Sequence, residues 1–148
     1  INIPCINAFA KDCARNGPLH VVQIDAHLDF VDERHGVTLG HGNPMRRAIE
    51  KDYVSGMTQL GIRNVSSTAK EDIDAFCPSI AAGTGTPSHG GFLYYDVLEI
   101  LQGLSTRGDV VGIDLVEVAP AYDPSESTQI LAAQLLLNFI GFIFHARR

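Results

Sequence analysis

Apolar and polar positions along this chain follow two rhythms. Ile3, Ile6, Phe9, Ala10 and Cys13 recur at helical spacing and predict a helix from Ile3 to Ala14, ended by Asn16-Gly17-Pro18. Leu19 to Ile24 is mostly apolar and predicts a mostly buried strand that runs straight into Asp25-Ala26-His27-Leu28-Asp29. A loop carrying Gly36, Gly40 and Gly42 follows, then a short helix from Pro44 to Lys51 and a second strand from Met57 to Ile62. After a polar stretch and a Gly/Thr/Pro loop from Ala81 to Gly91, Phe92 to Leu104 returns to helical spacing. Leu93, Val97, Ile100, Leu101 and Leu104 then share one face. Asp109 to Val116 predicts a third buried strand. Pro124 onward predicts a long helix, with Asp123, Ser125 or Ser127 as its N-cap. That helix is apolar nearly all round, which suits a core or an interface between subunits.

Apolar strands alternating with helices predict an α/β fold: three layers, α/β/α, around a mainly parallel sheet. With 148 residues the chain is one domain's worth, so residues 1–148 are expected to form a single domain. One junction breaks the pattern. Asp72-Ile73-Asp74 has the form of a strand end, yet Ser66-Ser67-Thr68-Ala69-Lys70-Glu71 before it cannot be the strand. The expectation is a partial domain, with sequence missing between Glu71 and Asp72 and before Ile1.

Composition narrows the partners. Eleven Lys and Arg against seventeen Asp and Glu give a net charge of −6, which argues against nucleic acid and against a polybasic membrane contact. The longest apolar run, Ile130 to Phe144, is interrupted by Gln134, Asn138 and Gly141 and falls short of a bilayer span. Three cysteines fit no CxxC spacing, and no signal segment opens the chain. Both features predict a reducing, cytoplasmic setting.

The candidate chemistry lies at the strand ends, where open parallel sheets bind ligands. Asp25, His27 and Asp29 alternate, so an extended backbone would point all three to one side. Asp72 and Asp74 have the same spacing. Four carboxylates at one place repel unless cations neutralise them, and two divalent ions balance their charge. Oxygen donors with one imidazole suit Mn²⁺ better than zinc. Two such ions can bind a water between them and bring its pKa towards neutrality. His41, in the Gly-rich loop, has the chemistry of a proton shuttle. Glu117, after the third predicted strand, can hold a guanidinium in bidentate fashion. Asp114, within that strand, would need a buried partner or a place near the metals. Gly83-Thr84-Gly85-Thr86-Pro87 has no Gly-Lys-Ser/Thr after it and so predicts a tight turn shaping a pocket wall.

Four stretches carry a family resemblance: Asp-Ala-His-Leu-Asp (25–29), Asp-Ile-Asp-Ala-Phe-Cys-Pro (72–78), Gly-Thr-Gly-Thr-Pro (83–87) and Val-Val-Gly-Ile-Asp-Leu-Val-Glu-Val-Ala-Pro-Ala-Tyr-Asp (110–123). In this order they resemble the arginase/agmatinase family of ureohydrolases, and the last resembles its agmatinase branch. The resemblance implies an arginase-like fold and a binuclear manganese hydrolase that releases urea and an amine, most simply putrescine from agmatine. It implies two Mn²⁺ held by Asp25, His27, Asp29, Asp72 and Asp74, with Asp25 and Asp72 bridging. Asp29 and His41 would be catalytic, Glu117 would bind the small guanidino substrate, and the assembly would be a homo-oligomeric trimer or hexamer. The sequence also departs from the family pattern. Its Gly-Gly-Asp-His motif, which supplies a histidine to the first metal, is absent, and His41-Gly42-Asn43 stands where agmatinases commonly have His-Gly-Thr. Guanidinobutyrate and guanidinopropionate are the alternative substrates, and a non-catalytic fragment that keeps only an assembly surface is the alternative outside enzymology.

Overall fold

The computed structural model describes residues 4–10, 17–63, 76–85, 87 and 89–147. The chain divides into two compact units, Ile1–Glu71 and Asp72–Arg148. The Glu71–Asp72 junction, and with it Asp72 and Asp74, lies outside the described residues.

The first unit is a β-α-β arrangement. Residues 4–10 are helical (α1). Strand β1 (Leu19–Ile24) pairs in parallel with β2 (Val54–Leu60), and α2 (Pro44–Ile49) lies between them in sequence and against β2 in space. Pro44 opens α2, where its missing N–H costs nothing and its fixed φ suits the first helical turn. β1 has the predicted bounds, whereas β2 begins three residues before the predicted start. Burial within β1 alternates: Gln23 is 8% exposed and Val22 is 36% exposed. The strand is therefore half-covered, less than the mostly buried strand predicted. Ala26, Met45, Ala48 and Val54 form the small core. Between β1 and α2 the loop makes a two-residue hairpin at His35-Gly36, with Arg34 and Val37 exchanging both backbone hydrogen bonds at 3.0 Å. Both central residues have positive φ, 53° and 79°, and glycine takes the second position without penalty.

The second unit is built on two helices. α3 (Tyr94–Ser105) packs against α4 (Ser127–Ala146), with Val97, Leu135 and Phe139 buried. The Asn138 amide donates to the Tyr94 hydroxyl at 3.0 Å. Asp96 accepts from the Leu93 N–H at 2.8 Å and so closes the start of α3. A single parallel bridge joins Phe76 to Phe92. α4 is 20 residues long, longer than the run from Ile130 to Phe144, and an 18-residue window within it has a mean hydropathy of 1.6. By length and composition alone it is apolar enough to cross a membrane, a measure that core helices also meet.

The predicted strand Asp109–Val116 does not form. Residues 109–119 belong to no strand, and Val111, Ile113, Leu115 and Val116 are 38–44% exposed. Asp114 is exposed rather than buried. A strand is a property of a pair, and among the described residues no strand pairing or bridge involves this stretch.

Candidate metal and guanidinium site

At the carboxyl end of β1 the backbone bends at Asp25 and Ala26 yet stays hydrogen-bonded beside β2, with Asp25 N–H reaching the Leu60 carbonyl and Arg63 N–H the Ala26 carbonyl, both at 2.9 Å. The Asp25 carboxylate accepts the His27 N–H at 3.0 Å, an Asx turn that bends the chain two residues on. Asp29 then takes a left-handed backbone, φ 49°, a conformation that Asp tolerates better than most side chains. Its carbonyl is gripped by two N–H groups at the start of α2, from Met45 at 3.1 Å and Arg46 at 3.3 Å. Those orphan donors of the helix end hold Asp29 in place. Asp25 and Asp29 approach one another through a turn and not through strand alternation. One amide shows the convergence: Gln23 Nε2 donates to Asp25 Oδ2 at 2.9 Å and to Asp29 Oδ2 at 3.3 Å. His27 is 7% exposed, with Nδ1 3.5 Å from Asp25 Oδ1.

Two carboxylates and an imidazole drawn together in this way fit a hard or borderline divalent cation in donor type. Among the described residues, no group of three or more His, Cys, Asp or Glu side chains is closed enough to hold a metal ion. The five-ligand set proposed from sequence includes Asp72 and Asp74, which lie outside the described residues.

His41 is exposed in the turn that leads into α2. Its loop is fastened by Asn43, which is 1% exposed. The Asn43 amide donates to the Val31 carbonyl at 2.7 Å and accepts the Gly40 N–H at 2.8 Å. Val31 N–H in turn reaches the Gly42 carbonyl at 3.0 Å. The sequence marked Asn43 as a departure without showing this anchoring role.

In the second unit, Glu117 is exposed and has a left-handed backbone, φ 66°. A Cβ placed on Gly85 would lie 3.8 Å from Glu117 Oε2, so the glycine turn borders this carboxylate. The turn is tied down behind it. Ala119 N–H reaches the Gly83 carbonyl at 2.7 Å, and Gly83 N–H reaches Thr128 Oγ1 at 2.8 Å. Thr128 Oγ1 donates to Asp123 Oδ2 at 2.7 Å. Asp123 is thus the cap of α4 from outside it, accepting the Thr128 N–H at 2.8 Å, with Glu126 in a left-handed turn between. Hydrogen bonds from Ser125 and Thr128, with a smaller one from Ser127, hold the Asp123 carboxyl well below the usual carboxylate range. Its folded pKa lies below the ordinary value of 3.8, so its contribution to stability is complete above about pH 5 and is lost progressively as acid protonates it.

A side chain at Gly83 has no room. A Cβ there would stand 2.6 Å from Asp123 Cβ and 2.9 Å from Thr128 Oγ1. Gly83→Ala should destabilise the second unit by about 1–3 kcal/mol, the usual cost of overpacking, as a lowered urea midpoint. An unchanged midpoint would show that the turn and the helix start yield without cost.

The model of the Arginase family matches residues 1–72 and 71–141, two stretches that meet at Glu71 and Asp72. The chain is 32% identical to the mitochondrial guanidino acid hydrolase of Homo sapiens over 184 aligned positions, covering 95% of this chain and 51% of that protein. It is 32% identical to the mitochondrial agmatinase of Gallus gallus, again over 184 positions, covering 95% and 53%. An alignment of 184 positions exceeds the 148 residues present, so both relatives carry residues with no counterpart here. Among solved structures, arginase from Medicago truncatula superposes with a TM-score of 0.80 at 25% identity, over 96% of this chain and 56% of that one. The chain spans about half the length of the relatives it matches, and its α/β fold is a part of theirs.

Proposed function

This chain belongs to the arginase family, and from that premise we propose that the protein is a binuclear manganese ureohydrolase whose substrate is agmatine, cleaved to putrescine and urea. The observation that carries this reading is the pairing of Asp25 and Asp29 on one amide donor, with His27 buried beside Asp25. Asp25, His27 and Asp29, joined by Asp72 and Asp74, would hold two Mn²⁺. Ions of that kind supply acidified water at neutral pH. The chain's own residues do the rest. Glu117 binds the guanidinium through paired charge-assisted hydrogen bonds. Asp29 accepts the proton that the attacking water gives up, and His41 carries a proton towards the departing amine.

A guanidino acid is the second reading. It is favoured by Asn43, which occupies the place of the agmatinase threonine and anchors the loop carrying His41. The two substrate classes share the guanidinium and differ at the far end, an ammonium in one and a carboxylate in the other. Urea release from agmatine, guanidinobutyrate, guanidinopropionate and arginine, measured with Mn²⁺, tests both. The highest kcat/KM is expected for agmatine. A preference for guanidinobutyrate would select the second reading, and no urea from any of the four would reject both.

A further inference from the structure

Two glutamines stand directly behind the carboxylates. Gln23 in β1 and Gln59 in β2 are partners in the parallel register. Gln59 Nε2 spends its two hydrogens on Gln23 Oε1 at 2.5 Å and on the Leu28 carbonyl at 2.6 Å. With its oxygen engaged, Gln23 turns its nitrogen the other way and spends both hydrogens on Asp25 and Asp29. Reversing Gln59 would set its oxygen against the Gln23 and Leu28 oxygens, and reversing Gln23 would set oxygen against both carboxylates and nitrogen against the Gln59 nitrogen, so the network admits one orientation. Gln23 is 8% exposed, and its loss would leave part-buried carboxylate oxygens without these donors.

We propose that Gln59 and Gln23 are positioning residues for the metal-binding carboxylates, acting as a relay from β2 through β1 to Asp25 and Asp29. The proposal rests on the metal-dependent reading above. Its chemical logic lies in the neutrality of the amide. A lysine or arginine here would cancel carboxylate charge and compete with a cation. A third carboxylate would repel the pair. A glutamine fixes the direction of both carboxylates and leaves their full negative charge for the metal.

Mn²⁺ alone is the probe, titrated into the protein and followed by the electron paramagnetic resonance of the free ion. Methionine matches glutamine in length without donating. Gln23→Met and Gln59→Met should each weaken Mn²⁺ binding about 10–100-fold, the usual worth of a partner that orients a metal ligand. The double variant should bind within about threefold of Gln23→Met, because Gln59 reaches the carboxylates through Gln23. Thermal melting of the metal-free variants reports folding separately. If methionine at position 23 prevents folding, Gln23→Asn serves instead: it keeps the amide but withdraws it by one methylene, and should still weaken binding. Variants that bind Mn²⁺ as tightly as the parent would overturn the relay and leave the metal-dependent reading standing. Tighter binding in the variants would also overturn it, by showing that the amide competes with the ion. A parent that binds no Mn²⁺ would overturn the metal-dependent reading, and the relay with it.

Discussion

Asp29→Asn should lower kcat for urea release by roughly 10²–10⁴-fold while leaving KM close to that of the parent, the range by which a positioned acid or base accelerates a reaction. The substitution is nearly isosteric, and the local backbone has reasons to stay. Asparagine, like aspartate, accepts a left-handed φ, and the grip of Met45 and Arg46 N–H on the residue 29 carbonyl does not involve the side chain. The carboxamide oxygen can still receive the Gln23 amide. What disappears is one negative charge beside Asp25 and, on the proposed reading, the acceptor for the proton of the attacking water. Both matter most as charge moves in the transition state, so the loss should fall on kcat. Steady-state urea release with parallel metal analysis decides the matter. A variant with full Mn²⁺ occupancy that turns over like the parent would remove Asp29 from the chemistry.

Glu117→Gln should act on the other kinetic constant. A hydrogen bond to a charged partner contributes about 1.5–3 kcal/mol, so making one partner neutral should raise KM about 10–100-fold, with a smaller change in kcat. The side chain sits on a left-handed residue beside the Gly85 turn, and glutamine fits the same space. The two substrate classes share only the guanidinium, so the rise should be similar for agmatine and for guanidinobutyrate. A rise confined to one of them would place Glu117 at the far end of the substrate instead.

The parts of this fold legible in the sequence are those set by neighbouring residues. Leu19–Ile24 is bounded by Gly17-Pro18 on one side and Asp25 on the other, and Pro44 announces the start of α2. The route by which Asp25 approaches Asp29 was not legible from spacing, because an Asx turn and an extended strand place i and i+4 carboxylates differently. Features that need a partner distant in sequence stayed hidden. Gln23 and Gln59 are unremarkable until the register sets them side by side. Asp109–Val116 has the apolar content of a strand but makes no strand pairing among the described residues. The start of α4 was displaced to Ser127 because Asp123 caps from outside, reaching over a turn that contains Pro124.

That unpaired stretch has a consequence for how the molecule behaves in quantity. Val110 to Val116 is rich in β-branched residues, carries one charge, at Asp114, and leaves Val111, Ile113, Leu115 and Val116 38–44% exposed. Backbone of this kind is a template for another copy of itself, and pairing grows with the square of concentration. Asp109 and Asp114 are the gatekeepers that oppose such stacking, and the overall charge of −6 adds a long-range repulsion that salt screens. Colloidal stability should therefore depend on Asp109 and Asp114 and weaken as ionic strength rises.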